Sequence, residues 1–110
     1  MAVIDEIAAE RRRQIEQEGW SAEHDDEHDN GELSRAASCY AWVASAYIDH
    51  RHLDCIQDEL LQVPAEWPPD WHPKWWKPTM ARRDLIKAAA LIVAEIERLD
   101  RAAARGLPNG

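Results

Sequence analysis

Five of the six prolines of this chain lie within residues 64–78, and this cluster limits where regular structure can form. Proline lacks a backbone N–H and clashes with the preceding helical turn, so the segment can be neither a helix nor a central strand. The same segment holds four of the six tryptophans, which is not the composition of a disordered linker. We therefore predict a long ordered loop between two helical parts of the chain.

The segments on both sides of this loop carry apolar residues three and four positions apart, which is the periodicity of amphipathic helices. Helices are predicted at residues 3–18, ended by Gly19, from near Asn30 to residue 48, and at 50–63 as a short helix. A last helix at 81–104 should be central. Its predicted core stripe is Leu85, Ala88, Ala89, Ile92, Ile96 and Leu99, widened by Ile86 and Val93.

The predicted fold is therefore all-α, a small helical bundle of three long helices plus a short one. A single domain should cover residues 1–110, with the Trp/Pro-rich loop at 64–78 and a flexible tail at 105–110. In the second long helix the predicted core stripe is Leu33, Ala36, Ala37, Tyr40, Ala44, Tyr47 and Ile48. The polar stripe Glu6, Glu10 and Gln14 of the first helix is expected at the surface.

The formal charge of −8 opposes binding to bulk nucleic acid or to an anionic membrane. A small phosphorylated ligand remains compatible, because a divalent cation can stand between carboxylates and phosphates. Cys39 and Cys55 form no Cys-x-x-Cys pair and no signal-peptide pattern precedes them, so we expect a reducing cytoplasm. A chain of this size buries a modest core, which favours a homo-oligomer.

Six carboxylates and two histidines lie within residues 23–32, with no Lys or Arg among them. Mg²⁺ or Mn²⁺ would relieve the repulsion, since hard cations take carboxylate oxygens. We predict Asp25, Asp26 and Glu32 as metal ligands, joined by Asp84 from the last helix. The alternative is a solvated loop whose acids favour a helix N-terminus. It accounts for Asp29 and Glu32 but leaves Asp25, Asp26 and both histidines unexplained.

Proton transfer is assigned to His24 or His28 within this stretch. For the substrate, Trp75 or Trp76 would stack on a base and Lys87 would bind a phosphate oxygen. The competing interpretation is that loop tryptophans, Trp67 and Trp71 above all, cover the core. The alternative for Asp84 with Lys87, and for Glu95 with Arg98, is an ordinary ion pair of a helix surface.

Several strings spread over nearly the whole chain resemble a family of small phage and prophage proteins: Glu-Arg-Arg-Arg-Gln (10–14), Glu-Gly-Trp (18–20), Glu-His-Asp-Asp-Glu-His (23–28), Gly-Glu-Leu (31–33), Trp-Trp-Lys-Pro (75–78) and Ala-Glu-Ile-Glu-Arg-Leu-Asp-Arg (94–101). This resemblance implies a phage setting and expression in a bacterial host cytoplasm, but no reaction. An acidic segment before an alanine-rich helix is also similar, more remotely, to the MazG-like all-α nucleotide pyrophosphohydrolases. That resemblance implies Mg²⁺ and a nucleotide substrate, although the Glu-Glu-x-x-Glu signature is absent here.

Three functions follow as hypotheses. The first is a divalent-metal-dependent protein that acts on nucleotides, in the simplest case a pyrophosphohydrolase. The second is a non-catalytic sponge for a nucleotide or cyclic-nucleotide signal of host defence. The third is a protein-protein interaction module that docks through the Trp-rich loop.

Overall fold

The computed structural model describes residues 2–48 and 62–106, apart from the side chains of Tyr47 and Ile48. Four α-helices lie in these ranges: α1 (Val3–Glu18), α2 (Ala22–Asp26), α3 (Glu32–Ile48) and α4 (Ala81–Ala104). No strand occurs among them, so the predicted all-α class is confirmed. The predicted short helix falls mostly outside the described residues, and only its last two positions, neither of them helical, are seen.

Helix α1 begins and ends where the sequence predicts. Gly19 adopts a φ of 74°, which only glycine takes without strain, and its N–H donates to the carbonyl of Gln14. The buried side of α1 is polar, because Glu10 and Gln14 are both only 2 % exposed. Ile4 and Ile15 instead face solvent. The expectation that Glu10 and Gln14 lie at the surface is therefore wrong.

Helix α3 packs as its periodicity indicates, with Leu33, Ala36, Ala37, Tyr40 and Ala44 all buried. It begins two residues later than expected. Gly31 has a φ of 81°, a left-handed conformation that breaks the helical run between Asn30 and Glu32. The backbone N–H of Asn30 donates to Glu32 Oε1 at 2.7 Å, so Glu32 satisfies a donor at this helix start.

Helix α4 is central, as predicted, since it contacts each of the other three helices. Its predicted core stripe is wrong at Leu85, Ile92 and Ile96, which are each about half exposed. It is confirmed at Ala88 and at Ile86, which are both buried. The buried side holds two large aliphatic residues, four alanines and paired charges: Asp84, Ile86, Lys87, Ala88, Ala90, Leu91, Ala94, Glu95, Arg98 and Ala102. The alanines let α3 approach closely, and the charged groups have partners. This side of α4 is therefore the buried one, and the side that carries the isoleucines faces solvent.

The loop between α3 and α4 closes the open side of the core. Trp67, Trp71 and Trp76 are buried there against Trp20 and Tyr40, which confirms that loop tryptophans cover the core. The only regular piece of its described part is a 3-10 turn at Pro73–Trp75. None of the described helices combines the length and apolar character that crossing a membrane requires.

Candidate functional site

The two histidines of the acidic stretch lie side by side, with ring centroids 4.5 Å apart. Ser21 starts α2 by accepting the backbone N–H of His24 on its Oγ at 3.2 Å, and this places His24 and Asp25 on the first turn. His24 Nδ1 lies 3.0 Å from Asp25 Oδ1, and His28 Nδ1 lies 2.9 Å from Glu32 Oε2. Each imidazole therefore donates through Nδ1 to a carboxylate and keeps Nε2 for a ligand or a proton.

A second contact at His28 would require the other tautomer and is the weaker of the two. The indole N–H of Trp71 points towards the same Nδ1 at 3.4 Å. An Nδ1 that carries a proton cannot accept that bond, and the shorter contact to Glu32 is the one with hydrogen-bond strength. Trp71 thus contributes a ring edge that holds the imidazole in place, at 5.5 Å between centroids.

Asp25 is fully buried, and both of its oxygens are used. Oδ1 accepts from His24, while Oδ2 accepts from Arg11 at 3.1 Å. Arg11 also donates to the carbonyl of Trp20, at 3.3 Å, and so connects α1 to the segment before α2. The charge of Asp25 is consequently balanced within the protein, and its geometry is that of a group that orients His24.

The other predicted metal ligands point elsewhere. Asp26 accepts two hydrogen bonds from Arg101, at 2.9 and 3.0 Å, and these lower the pKa of its carboxyl. Asp84 accepts the backbone N–H of Thr79 at 3.0 Å, and burial raises the pKa of this carboxyl. Among the described residues, no three side chains of His, Cys, Asp or Glu lie together as a metal-binding group.

The predicted metal ligands Asp25, Asp26, Glu32 and Asp84 therefore do not converge. Each would have to leave its present partner to meet the others on one ion, so these four residues do not fit a resident Mg²⁺ or Mn²⁺. The structure instead pairs two of the acids with the histidines that were predicted to transfer protons. Whether a metal takes part stays a prediction of the sequence.

The rings of His24 and His28 line a cavity of about 300 Å³ under the loop. We call it the histidine cavity, and its lining is Trp20, His24, His28, Asp70, Trp71, His72, Lys74 and Trp75. Trp20 lies parallel to His24, at an angle of 10°, and meets Trp75 edge to face at 5.6 Å. Aromatic rings thus form most of its wall, and the polar groups of the loop add to it.

Of the two adjacent tryptophans, only Trp75 reaches the histidine cavity. It is partly exposed, and the ammonium groups of Lys74 and Lys77 lie 4.9 and 5.2 Å from its ring centroid. Trp76 is 7 % exposed and packs on Tyr40 in the core, so it is not placed to stack on a base.

Lys87, the predicted phosphate ligand, also lies outside this cavity. Its Nζ donates to the carbonyl of Lys77 at 2.6 Å and lies 3.8 Å from Asp84, and burial lowers the pKa of its ammonium group. Tyr40 holds the same part of the loop, because its hydroxyl donates to the carbonyl of Trp75 at 2.8 Å and accepts the N–H of Lys77 at 3.0 Å. Lys87 and Tyr40 therefore anchor the loop to α4 and α3.

Sequence reasoning did not single out Trp20, Arg11, Asp70 or His72. Trp20 carries one local signal, since it stands between the glycine that ends α1 and the serine that starts α2. Arg11 carried none, because a run of three arginines among acids is typical of a solvated helix face. A larger cavity of about 440 Å³ lies elsewhere and contains none of the predicted site residues; its described lining is Ser38, Cys39, Trp42, Pro64, Ala65 and Glu66.

Comparison with protein-family models, with curated proteins and with solved structures finds no match for this chain.

Proposed function

We propose that this chain binds a nucleotide through the histidine cavity. The observation that carries the proposal is a recess walled by Trp20, Trp71 and Trp75 that also contains two imidazoles and a lysine. Base stacking on tryptophan contributes about 1–3 kcal/mol and is tolerant of base identity. Aromatic walls with a few polar groups are the usual composition of a small-molecule site.

The size of the histidine cavity favours a ligand that enters only in part. At about 300 Å³ it is at the lower end of the range for ligand pockets, so it would take a base and leave the phosphates outside. Lys74 and Lys77 are the nearest cations to Trp75, and their flexible side chains can turn from the indole ring to a phosphate. The net charge of −8 would disfavour a long polyanion at the same place.

Isothermal titration with ATP, GTP, CTP, UTP and cyclic AMP, each with and without Mg²⁺, tests the proposal. We expect at least one nucleotide to bind, and Trp75→Ala to weaken binding about tenfold or more through lost stacking. The matched control is Trp42→Ala, because Trp42 is half exposed and lines a different cavity. No binding of any of these nucleotides, or an equal loss in both variants, would contradict the proposal.

The two histidine-carboxylate pairs favour hydrolysis as a second candidate function. In that reaction Nε2 of one imidazole takes a proton from water while the oxygen attacks phosphorus. The bond from phosphorus to the bridging oxygen breaks, and the other imidazole, in its protonated form, gives its proton to that oxygen. Asp25 and Glu32 hold the rings through Nδ1 and are positioning residues for this step.

Release of phosphate or pyrophosphate, measured with Mg²⁺, with Mn²⁺ and with a chelator, separates an enzyme from a sponge. His28→Ala should abolish turnover and keep most of the binding. The matched control Asp29→Asn, an exposed change in the same segment, should keep both turnover and binding. Binding without turnover in every condition would leave the sponge hypothesis. Such a protein, in a phage and in the bacterial cytoplasm as the sequence resemblance implies, would withdraw a nucleotide signal from the host.

A further inference from the structure

Helix α4 exposes a continuous apolar stripe along the side that faces away from the core. Leu85, Ile92 and Ile96 are 44, 48 and 53 % exposed, and neighbouring Val93 is 37 % exposed. The whole stripe is Leu85, Ala89, Ile92, Ile96, Leu99 and Ala103. We call it the α4 seam. Patches of this kind on a small protein mark a surface that something covers.

The spacing within the α4 seam indicates what kind of surface fits it. Successive members are separated by four, three, four, three and four residues. This alternation is the heptad pattern of a coiled coil, in which each side chain enters a gap between residues of a second helix with the same pattern. From residue 85 to residue 103 the seam is about 27 Å long at 1.5 Å per residue. A helix of this chain is therefore itself a suitable partner.

The charges beside the α4 seam favour a second copy in the opposite direction. Arg82 and Asp100 are eighteen residues apart, which is five full turns, so both lie on the same side of the helix at opposite ends of the seam. Both residues are exposed. Arg82 also pairs with Glu6 of α1 within one copy, and its side chain is still 63 % exposed in that pair. Two parallel copies would place like charges together, whereas two antiparallel copies would place Arg82 near the partner's Asp100.

We propose that two copies of this chain form a dimer through antiparallel contact of their α4 seams. In the register that sets Leu85 on the partner's Ile96, Ala89 packs on the partner's Ile92, and Arg82 lies within one position of the partner's Asp100. The second pairing sets a small side chain against a large one, which lets the two helices interdigitate. The dimer does not rest on the proposed function, because no residue of the α4 seam lines the histidine cavity.

Sedimentation equilibrium of the full chain tests the dimer. The wild type should sediment as a dimer, and Ile96→Glu should weaken dimerisation at least a hundredfold, because it buries a charge at the centre of the seam. Circular dichroism of Ile96→Glu should show the helical content of the wild type, since Ile96 is half exposed in a single copy and its replacement leaves the core intact. The matched control is Ile4→Glu, which alters an even more exposed isoleucine outside the seam, at 74 %, and should leave the dimer intact.

Disulfide trapping tests the antiparallel direction without a destabilising charge. In a Cys55→Ser background, an equal mixture of the Leu85→Cys and Ile96→Cys proteins should form a crosslinked dimer on mild oxidation, and neither protein alone should. Cys39 should stay unreactive, because burial raises the pKa of its thiol to about 11. Crosslinking of each variant alone would show a parallel pair and overturn the proposed geometry.

A monomeric wild type would overturn the dimer itself. A dimer that persists in Ile96→Glu and dissociates in Ile4→Glu would overturn the α4 seam in favour of α1.

Discussion

Glu10 shows how a single buried acid is made tolerable in this protein. Arg13 donates to both of its oxygens at 2.8 Å, Arg83 adds a third hydrogen bond, and Gln14 Nε2 lies 3.3 Å from Oε2. Burial alone raises the pKa of Glu10, but the hydrogen bonds from the two arginines outweigh it and the pKa falls below its ordinary value of 4.5. The ionised form is therefore the stable one in the folded protein.

Replacing Glu10 by Gln should lower the free energy of unfolding by about 1.5–3 kcal/mol, because Arg13 loses a charged partner. Since the pKa of Glu10 is lower in the folded chain, its stabilisation is present above the unfolded value of 4.5 and is lost as the pH falls through the folded value. The free energy of unfolding of the variant should therefore change less between neutral and acid pH than that of the wild type. Urea unfolding at several pH values measures both effects.

Glu6→Gln serves as the matched control for that substitution. Glu6 also pairs with an arginine, Arg82, but the pair is open to water and screened. We expect a smaller loss of stability at neutral pH than for Glu10. An equal loss in the two variants would show that burial of Glu10 adds nothing.

For single residues, the sequence predicted which side chains belong to the site better than it predicted the partners that each side chain contacts. The histidines and their acids could be selected because they lie close together in the chain. The distant partners of Glu10 and Asp26 could not, because Arg83 and Arg101 lie 73 and 75 residues away along the chain. A pair between distant charges leaves no periodic signal in one sequence.

Gly31 sets the geometry of the element that carries Glu32. Its φ of 81° ends the preceding turn and lets α3 start at the residue that binds His28. No atom lies within 4 Å of the position that a Cβ would take, so a substitution there is strained by its backbone and not by crowding. The left-handed conformation of Gly31 thus fixes both the first residue of α3 and the position of the carboxylate that holds His28 in the histidine cavity.

Gly31→Ala should cost about 1–2 kcal/mol of stability and shift the NMR resonances of the His28 ring. Gly106→Ala is the matched control, because Gly106 has a similar φ of 72° and open space around it, at the end of α4. It should cost a similar or smaller amount and leave His28 unchanged. If both variants shift the NMR resonances of the His28 ring equally, the backbone conformation of Gly31 is not what positions His28.

Elements with a strong signal were predicted closely. The bounds of α1 and α4 and the loop could be predicted, because glycine and proline end helices for reasons that act locally. Helix α2 could not, since five residues are too few to show a period. The side of α4 that is buried was mistaken because its alanines and paired charges are less apolar than its exposed isoleucines.

At the scale of the whole molecule, the proposed dimer makes thermal stability depend on concentration. If folding and dimerisation are coupled, a tenfold increase in protein should raise the melting temperature by about 3–6 °C. Differential scanning calorimetry at several concentrations measures this. Ile96→Glu should remove the dependence, and a wild-type melting temperature that does not change with concentration would argue against a coupled dimer.

The hydrogen bonds of Tyr40 to the loop have a consequence for how a ligand enters. One phenol oxygen joins the backbone on both sides of Trp76 to α3, and Lys87 ties the carbonyl of Lys77 to α4. The loop and the two helices should therefore unfold as one cooperative unit, and the Lys77 amide should exchange its proton with solvent as slowly as those of α3. A ligand then enters the histidine cavity through rotation of individual side chains. Ligand association should therefore be fast and should involve little rearrangement of the backbone.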